Sequence, residues 1–199
     1  MRRIALALAI TLVAPVLFAQ ETYFPKGTLS SNARSDLFLA KWYSAQLKAL
    51  DEPSFPELAK NSSLQAYRFT WLRTFHHPVA IRVEMKVDGT AVLSLKVASG
   101  AGGYEPGKLI QNTSRQLTRD EATKFLDKVE EANWWSLRAY EEDPPNVYHL
   151  DGSHWIIEGI KDGDYHVVDR WSPRKGSVRE LGLIALEFAQ MNVPNNELY

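Results

Sequence analysis

Residues 79–98 read VAIRVEMKVDGTAVLSLKVA, and this stretch decides the predicted fold. Apolar and polar residues alternate on both sides of Asp88-Gly89, which is typical of two half-buried strands joined by a tight turn. A two-residue turn would set Ile81 against Lys96, whereas a three-residue loop with Gly89 left-handed sets Ile81 against Leu95. A one-residue slip would move a whole apolar face into water. The alternation therefore predicts a hairpin with the three-residue loop.

A second hairpin is predicted over residues 153–171, with its turn at residues 161–163. With the same type of loop, Glu158 lies opposite His166, and a carboxylate in that position would raise the histidine pKa. His154 then lies opposite Arg170, on the same face.

Asp169 falls on the other, largely apolar face in this register. An unpaired carboxylate there would cost several kcal/mol. Two explanations stay open: either the register is shifted by one residue, or Asp169 forms an ion pair with a residue such as Arg73.

Helices are predicted before and after the hairpins. Residues 32–50 carry apolar side chains at helical spacing, and capping boxes begin at Thr118 and Ser177. Residues 67–75 alternate like a strand with one aromatic face. These elements indicate an α+β fold, an antiparallel sheet built from two hairpins in a possible strand–strand–helix repeat, with the helices packed on one face.

The N-terminal residues have the layout of a secretory signal peptide. Arg2 and Arg3 precede an apolar run that continues to Phe18, and Ala19 offers a small residue for cleavage. The run is too short for a membrane-spanning helix, which needs about 20 apolar residues. We therefore expect a signal peptide over residues 1–19, cleavage after Ala19, and no stable membrane anchor afterwards. Residues 20–199 then form a single α+β domain with an irregular lead-in over 20–31.

Composition excludes several classes of function. The chain has no cysteine, which removes thiol nucleophiles, disulfides and cysteine-ligated metal sites. It has 23 Lys and Arg residues against 24 Asp and Glu residues, so loss of a leader containing Arg2 and Arg3 leaves a net charge of −3. This balance argues against nucleic acid as a partner.

The second hairpin supplies the candidates for acid–base chemistry. Glu158 and His166, with Asp169 as a further candidate, would act as the acid–base groups of a hydrolase-type enzyme, and Arg170 would hold an anionic group. The alternative is a solvated sheet face with cross-strand charge pairs.

Other candidates are binding residues. His76 and His77 lie in a turn whose spacing matches no metal motif, so neither a metal nor a cofactor is predicted. The segment 100–107 is glycine-rich and carries Tyr104, but its spacing differs from that of a dinucleotide loop. We expect a binding site to draw on Arg73, His76, His77, Tyr104, Arg170 and Trp171.

Two segments are similar to parts of known sequences. Residues 67–78, YRFTWLRTFHHP, and residues 163–173, GDYHVVDRWSP, together with Gly102-Gly103-Tyr104 and the Asp151-Gly152 before Trp155, resemble a group of uncharacterised exported bacterial proteins. The resemblance covers roughly residues 65–190. It implies a location in the bacterial envelope, periplasmic or secreted, and brings no activity with it.

Two functional hypotheses follow. The first is a non-enzymatic exported domain that binds a small polar molecule or an envelope protein, because the chain lacks a nucleophile or metal signature and is rich in aromatic residues. The second is the acid–base enzyme described above. The enzyme requires its polar groups to converge in one concave pocket, whereas a binding domain requires an exposed aromatic or apolar surface.

Overall fold

The computed structural model describes residues 22–60, 63–142 and 150–199. It has the predicted α+β fold with one antiparallel sheet, and this sheet consists of six strands. The strands are β1 (Ala66–Arg73), β2 (Val79–Met85), β3 (Ala91–Ala98), β4 (Leu109–Leu117), β5 (Ser153–Lys161) and β6 (Asp164–Trp171). The helices are α1 (Ala33–Ala49), α2 (Phe55–Leu58), α3 (Arg119–Glu131) and α4 (Ser177–Phe188), with 3₁₀ turns at Trp134–Ser136 and Asn195–Glu197.

The strand order is β4-β3-β2-β1-β5-β6, so β1 joins the two predicted hairpins side by side. The predicted strand–strand–helix repeat omits β4, a polar strand at the edge of the sheet that pairs with β3. Most side chains of β4 are exposed, and it therefore lacks the apolar alternation by which a half-buried strand is recognised.

The first hairpin has the predicted register. Ile81 lies opposite Leu95, and Val83 lies opposite Leu93. The loop consists of residues 87–89, closed by a bond from the Lys86 amide to the Thr90 carbonyl, and Gly89 has a φ of 82°. Glycine tolerates this left-handed conformation without steric cost.

The predicted register of the second hairpin is wrong by one residue. Lys161 pairs with Asp164 around a two-residue turn in which Asp162 and Gly163 have φ values of 54° and 87°. Positive φ at both central residues is the mark of a type I′ turn. Glu158 consequently lies opposite Val167, and His166 lies opposite Gly159. Both faces of β5 are buried, so apolar alternation does not determine the register here.

Helices α3 and α4 share one face of the sheet, which we call the back face. Its core includes the aromatic residues Tyr67, Phe69, Trp71, Phe125, Trp134, Trp155 and Phe188. The predicted capping box at Thr118 is present, with Thr118 and Glu121 bonding to each other's backbone amides. The capping box predicted at Ser177 is wrong, because Ser177 is already helical and the N-cap is Gly176 with a φ of 93°.

Helix α1 covers the opposite face of the sheet, which we call the front face. Tyr43 and Leu47 of α1 pack with Leu72 of β1 and Ile156 of β5. The prediction that all helices share one face is therefore wrong for α1. The reason lies in β1, whose eight residues are all buried, so the sheet needs cover on both sides. No helix within the described ranges is long and apolar enough to cross a membrane.

Part of the front face is a buried network of charged side chains. The guanidinium of Arg68 contacts Glu158 Oε2 through Nε at 2.9 Å and through a terminal nitrogen at 2.6 Å, and it lies 3.3 Å from Glu52. Glu52 also contacts Arg82 at 3.3 Å and Lys96 at 3.2 Å. Burial raises the pKa of Glu158, and the charge and hydrogen bonds of Arg68 oppose this rise. These charges can be buried only because each is paired with a charge of the opposite sign.

Removing one partner of this network should destabilise the protein strongly. We expect Glu158→Gln to lower the free energy of unfolding by about 3 kcal/mol, because Arg68 is left buried with Glu52 as its remaining carboxylate partner. Urea denaturation measures the change. Glu57→Gln is the control, since the Lys60–Glu57 pair is exposed and such pairs contribute about 0–1 kcal/mol. Equal effects of the two substitutions would contradict the structural role of Glu158.

Candidate functional site

A cavity of about 670 Å³ opens on the front face, between α1, the glycine-rich loop and the ends of β5 and β6. Aromatic side chains form much of its wall, and three polar residues of the sheet, His154, Asp169 and Arg170, also line it. The residues important for its chemistry are Phe38, Trp42, Tyr104, His154, Asp169 and Trp171. The volume lies within the range of roughly 300–1,000 Å³ that is usual for small-molecule sites.

The polar centre of the cavity is a cluster of Tyr43, His154 and Asp169. The Tyr43 hydroxyl donates to Asp169 Oδ2 at 2.6 Å, and His154 Nδ1 lies 3.0 Å from the same oxygen. The two-residue turn of the second hairpin places His154 opposite Trp171 and Asp169 opposite Ile156. His154 and Asp169 are therefore diagonal neighbours on one face, a contact that the predicted register would have prevented.

The cluster fixes which nitrogen of neutral His154 carries the proton. Burial and the negative charge of Asp169 raise the pKa of Tyr43 well above its ordinary value, so Tyr43 keeps its single proton and donates it to Asp169. Tyr43 Oη, 2.6 Å from Nδ1, is then left to accept from the imidazole. Nδ1 is therefore the protonated nitrogen, and Nε2 is a hydrogen-bond acceptor. Within the described part of the chain, Nε2 has no hydrogen-bond partner.

Aromatic rings enclose His154. Its ring centroid lies 5.3 Å from that of Trp42 and 4.8 Å from that of Trp171, and both pairs are edge-to-face. Phe38 lies one helical turn before Trp42 and is 64% exposed, while Tyr104 on the other side of the cavity is 61% exposed. The inner part of the cavity is thus formed by contacting rings, and its mouth is lined by exposed ones.

The glycine-rich loop presents Tyr104 to the cavity. Backbone amides of Gly102 and Gly103 donate to the carbonyls of His76 and Thr74, and Gln46 of α1 donates to the Tyr104 carbonyl. A Cβ on Gly102 would lie 2.7 Å from backbone atoms of Arg73, so the close approach of the two backbones requires glycine. The loop is a packed structural element and not a phosphate cradle.

Arg170, a predicted anion-binding residue, reaches the rim of the cavity, but its donors are occupied. Its Nε lies 2.9 Å from Glu141, and its terminal nitrogens donate to the backbone carbonyls of Asp169, Ala139 and Arg138 at 2.7, 3.3 and 2.9 Å. Four of the five N–H groups of a guanidinium are thereby used. The arrangement holds the segment around residues 138–141 against β6.

The predicted pair of Glu158 and His166 does not exist. Glu158 is fully buried on the front face, where it bonds to Arg68 and Tyr165. His166 is on the back face, where its ring packs on Trp134 at 4.8 Å and its Nε2 donates to the Leu137 carbonyl. Burial lowers the pKa of His166, with a smaller contribution from Arg170 and an opposing one from the bond to Leu137, so the predicted rise is wrong.

The remaining predicted residues lie elsewhere or at the rim. Arg73 contacts Glu197 at 3.2 Å and not Asp169, so the suggested Arg73–Asp169 pair is wrong. His76 Nδ1 lies 2.8 Å from the Tyr199 hydroxyl, and His77 Nδ1 lies 2.8 Å from the Gly100 carbonyl. No group of three potential metal ligands occurs among the residues that the structure describes. The cavity brings together Asp169, Tyr104, Arg170 and Trp171 of the predicted set.

Sequence reasoning missed Tyr43 and Trp42 as site residues and gave His154 no leading role. Tyr43 and Trp42 lie in the apolar pattern of α1, and nothing in that pattern separates them from core residues. His154 had a partial signal, because an Asp-Gly pair at a hairpin tip favours a type I′ turn and hence the register that joins His154 to Asp169. The same pair at Asp88-Gly89 lies in a three-residue loop, so the signal does not determine the register by itself.

The lowered pKa of His166 predicts a pH dependence of stability. As the pH falls through about 6.5, the unfolded chain binds a proton at His166 more readily than the folded chain, so the free energy of unfolding falls as the pH falls. We expect His166→Gln to reduce the slope between pH 7.5 and 5 in urea denaturation. Asn112→Gln, at an exposed position of β4, is the control and should leave the slope unchanged because neither side chain titrates. An unchanged slope in the His166 variant would contradict the assignment.

Comparison of the chain with models of known protein families found no match, and comparisons with curated proteins and with solved structures found no significant similarity either. The resemblance to exported bacterial proteins therefore stays a prediction, and inferences about function depend on the geometry of the site.

Proposed function

We propose that this chain is an exported domain that binds a small polar organic molecule in the cavity around His154, without catalysing a reaction on it. The observation that carries the proposal is the placement of His154 Nδ1 against Tyr43 and Asp169. A buried carboxylate and a tyrosine hold the ring on one side, and Nε2, which has no hydrogen-bond partner among the described residues, lies among aromatic side chains. A few well-placed polar groups in an aromatic wall are typical of small-molecule sites.

Binding is favoured over catalysis by the surroundings of Nε2. Within the described ranges, no hydroxyl group is hydrogen-bonded to this nitrogen, so no side chain is held in place as its nucleophile. The signal peptide predicted over residues 1–19 lies outside the described residues and supports an extracytoplasmic location. A stable core without cysteines is compatible with that location.

The proposal predicts that the protein retains a ligand when purified from cells. The full chain is expressed with its leader, isolated without added ligand and analysed by native mass spectrometry. We expect an additional bound mass in the wild type, and at least tenfold less of it in Trp171→Ala and His154→Ala, because these side chains line the cavity. Ile110→Ala, at an exposed position on β4, is the matched control and should retain the ligand.

Two results would count against the proposal. Equal retention in all variants would place the ligand outside the cavity. A protein that carries no ligand, and that also binds nothing from a concentrated extract of the cell envelope, would remove the basis for a binding function.

The His154–Asp169 pair also supports a second candidate, a hydrolase-type enzyme in which His154, and not His166, is the base. A carboxylate on Nδ1 stabilises the imidazolium that forms when Nε2 accepts a proton. If this is the function, Asp169→Asn should lower the turnover of a hydrolysable ester or amide by at least about 10²-fold. The binding proposal instead predicts no turnover above background for wild type or variant in the same assay.

A further inference from the structure

The charges that line the cavity are unbalanced. Carboxylates of Asp169, Glu141 and Glu142 line it, and the only guanidinium or ammonium group in the described lining is Arg170. These four side chains sum to a formal charge of −2. Because the guanidinium of Arg170 already has four protein acceptors, it has little capacity left to hold an anionic ligand.

The aromatic side chains of the cavity, like its carboxylates, favour a positively charged ligand. The faces of tryptophan, tyrosine and phenylalanine rings carry negative electrostatic potential and attract cations. Phe38 and Tyr104 are exposed at the mouth, and Trp42 and Trp171 lie deeper, beside His154. Nε2 of His154 is an acceptor, so it suits an N–H or O–H donor on the ligand and repels a carboxylate or phosphate oxygen.

From this combination of carboxylates, ring faces and an acceptor nitrogen, we infer that the cavity binds a small organic cation, with an alkylammonium group as the recognised feature. The inference rests on the proposed binding function and names the chemical class of its ligand. The cation would lie among the aromatic rings with the rim carboxylate of Glu142 nearby, since Glu141 is already paired with Arg170, and a polar group on the cation would donate to His154 Nε2. An uncharged molecule of the same shape loses the attraction to both rings and carboxylates.

Choline and its uncharged isostere 3,3-dimethyl-1-butanol are the probes that test the inference. Each is titrated into the full chain, and Kd is measured by NMR and by tryptophan fluorescence at low salt. We expect choline to bind about five- to thirtyfold more tightly than the alcohol, since a cation–π contact contributes about 1–2 kcal/mol. Raising the salt concentration should weaken choline binding and leave that of the alcohol unchanged.

Substitutions in the cavity test which side chains cause the preference for choline over the uncharged alcohol. Glu142→Gln should weaken choline binding severalfold without changing the affinity for the alcohol, because it removes charge and keeps shape. Glu57→Gln, which removes an exposed carboxylate of α2 away from the cavity, is the matched control and should change neither affinity. Trp171→Ala should abolish binding of both probes.

The outcomes separate failure of the inference from failure of the proposed function. Equal affinities that both depend on Trp171 would overturn the cation inference and leave the binding function intact. If neither probe binds, the ligand found by native mass spectrometry decides: a cationic ligand supports the inference, and an uncharged or anionic one overturns it. If neither probe binds, and the protein neither retains a ligand nor binds one from the envelope extract, the proposed function and the inference fail together.

Discussion

The structure depends on the burial of strand β1 on both of its faces. All eight of its residues are shielded from solvent, although one of them is Arg68. The back-face residues need helices α3 and α4 for cover. The front-face residues need α1, and at Arg68 they also need the paired carboxylate of Glu158. This requirement explains why the helices divide between the two faces, and why charged residues of five separate segments meet on the front face.

The same double burial positions the candidate site. Because α1 must lie across the front face, Tyr43 reaches the sheet where β5 and β6 carry His154 and Asp169. The type I′ turn at Asp162-Gly163 then determines which side chains of the hairpin share that face. The position of α1 across the front face and the register of the second hairpin together therefore form the site.

Several elements could be predicted from local signals. The register of the first hairpin, helix α1 and the capping box at Thr118 each have a sequence pattern that only one structure satisfies. The second register could not be predicted by alternation, because β5 is buried on both faces and either register buries apolar side chains. Strand β4 is mostly exposed and has no pattern. The site itself joins residues of α1, β5 and β6, and sequence alone does not show that α1 crosses the front face.

Helix α1 carries residues with very different freedom to change. Tyr43 is completely buried, holds Asp169 and belongs to the front-face core, so a substitution there would damage fold and site together. Phe38 lies at the mouth of the same cavity and contributes little to the core. Over evolutionary time, replacements at Phe38 and Tyr104 can alter which molecules enter while folding is preserved. Related chains would then keep the buried residues around Tyr43 and differ at the mouth of the cavity. New ligand preferences would arise first through changes at the mouth.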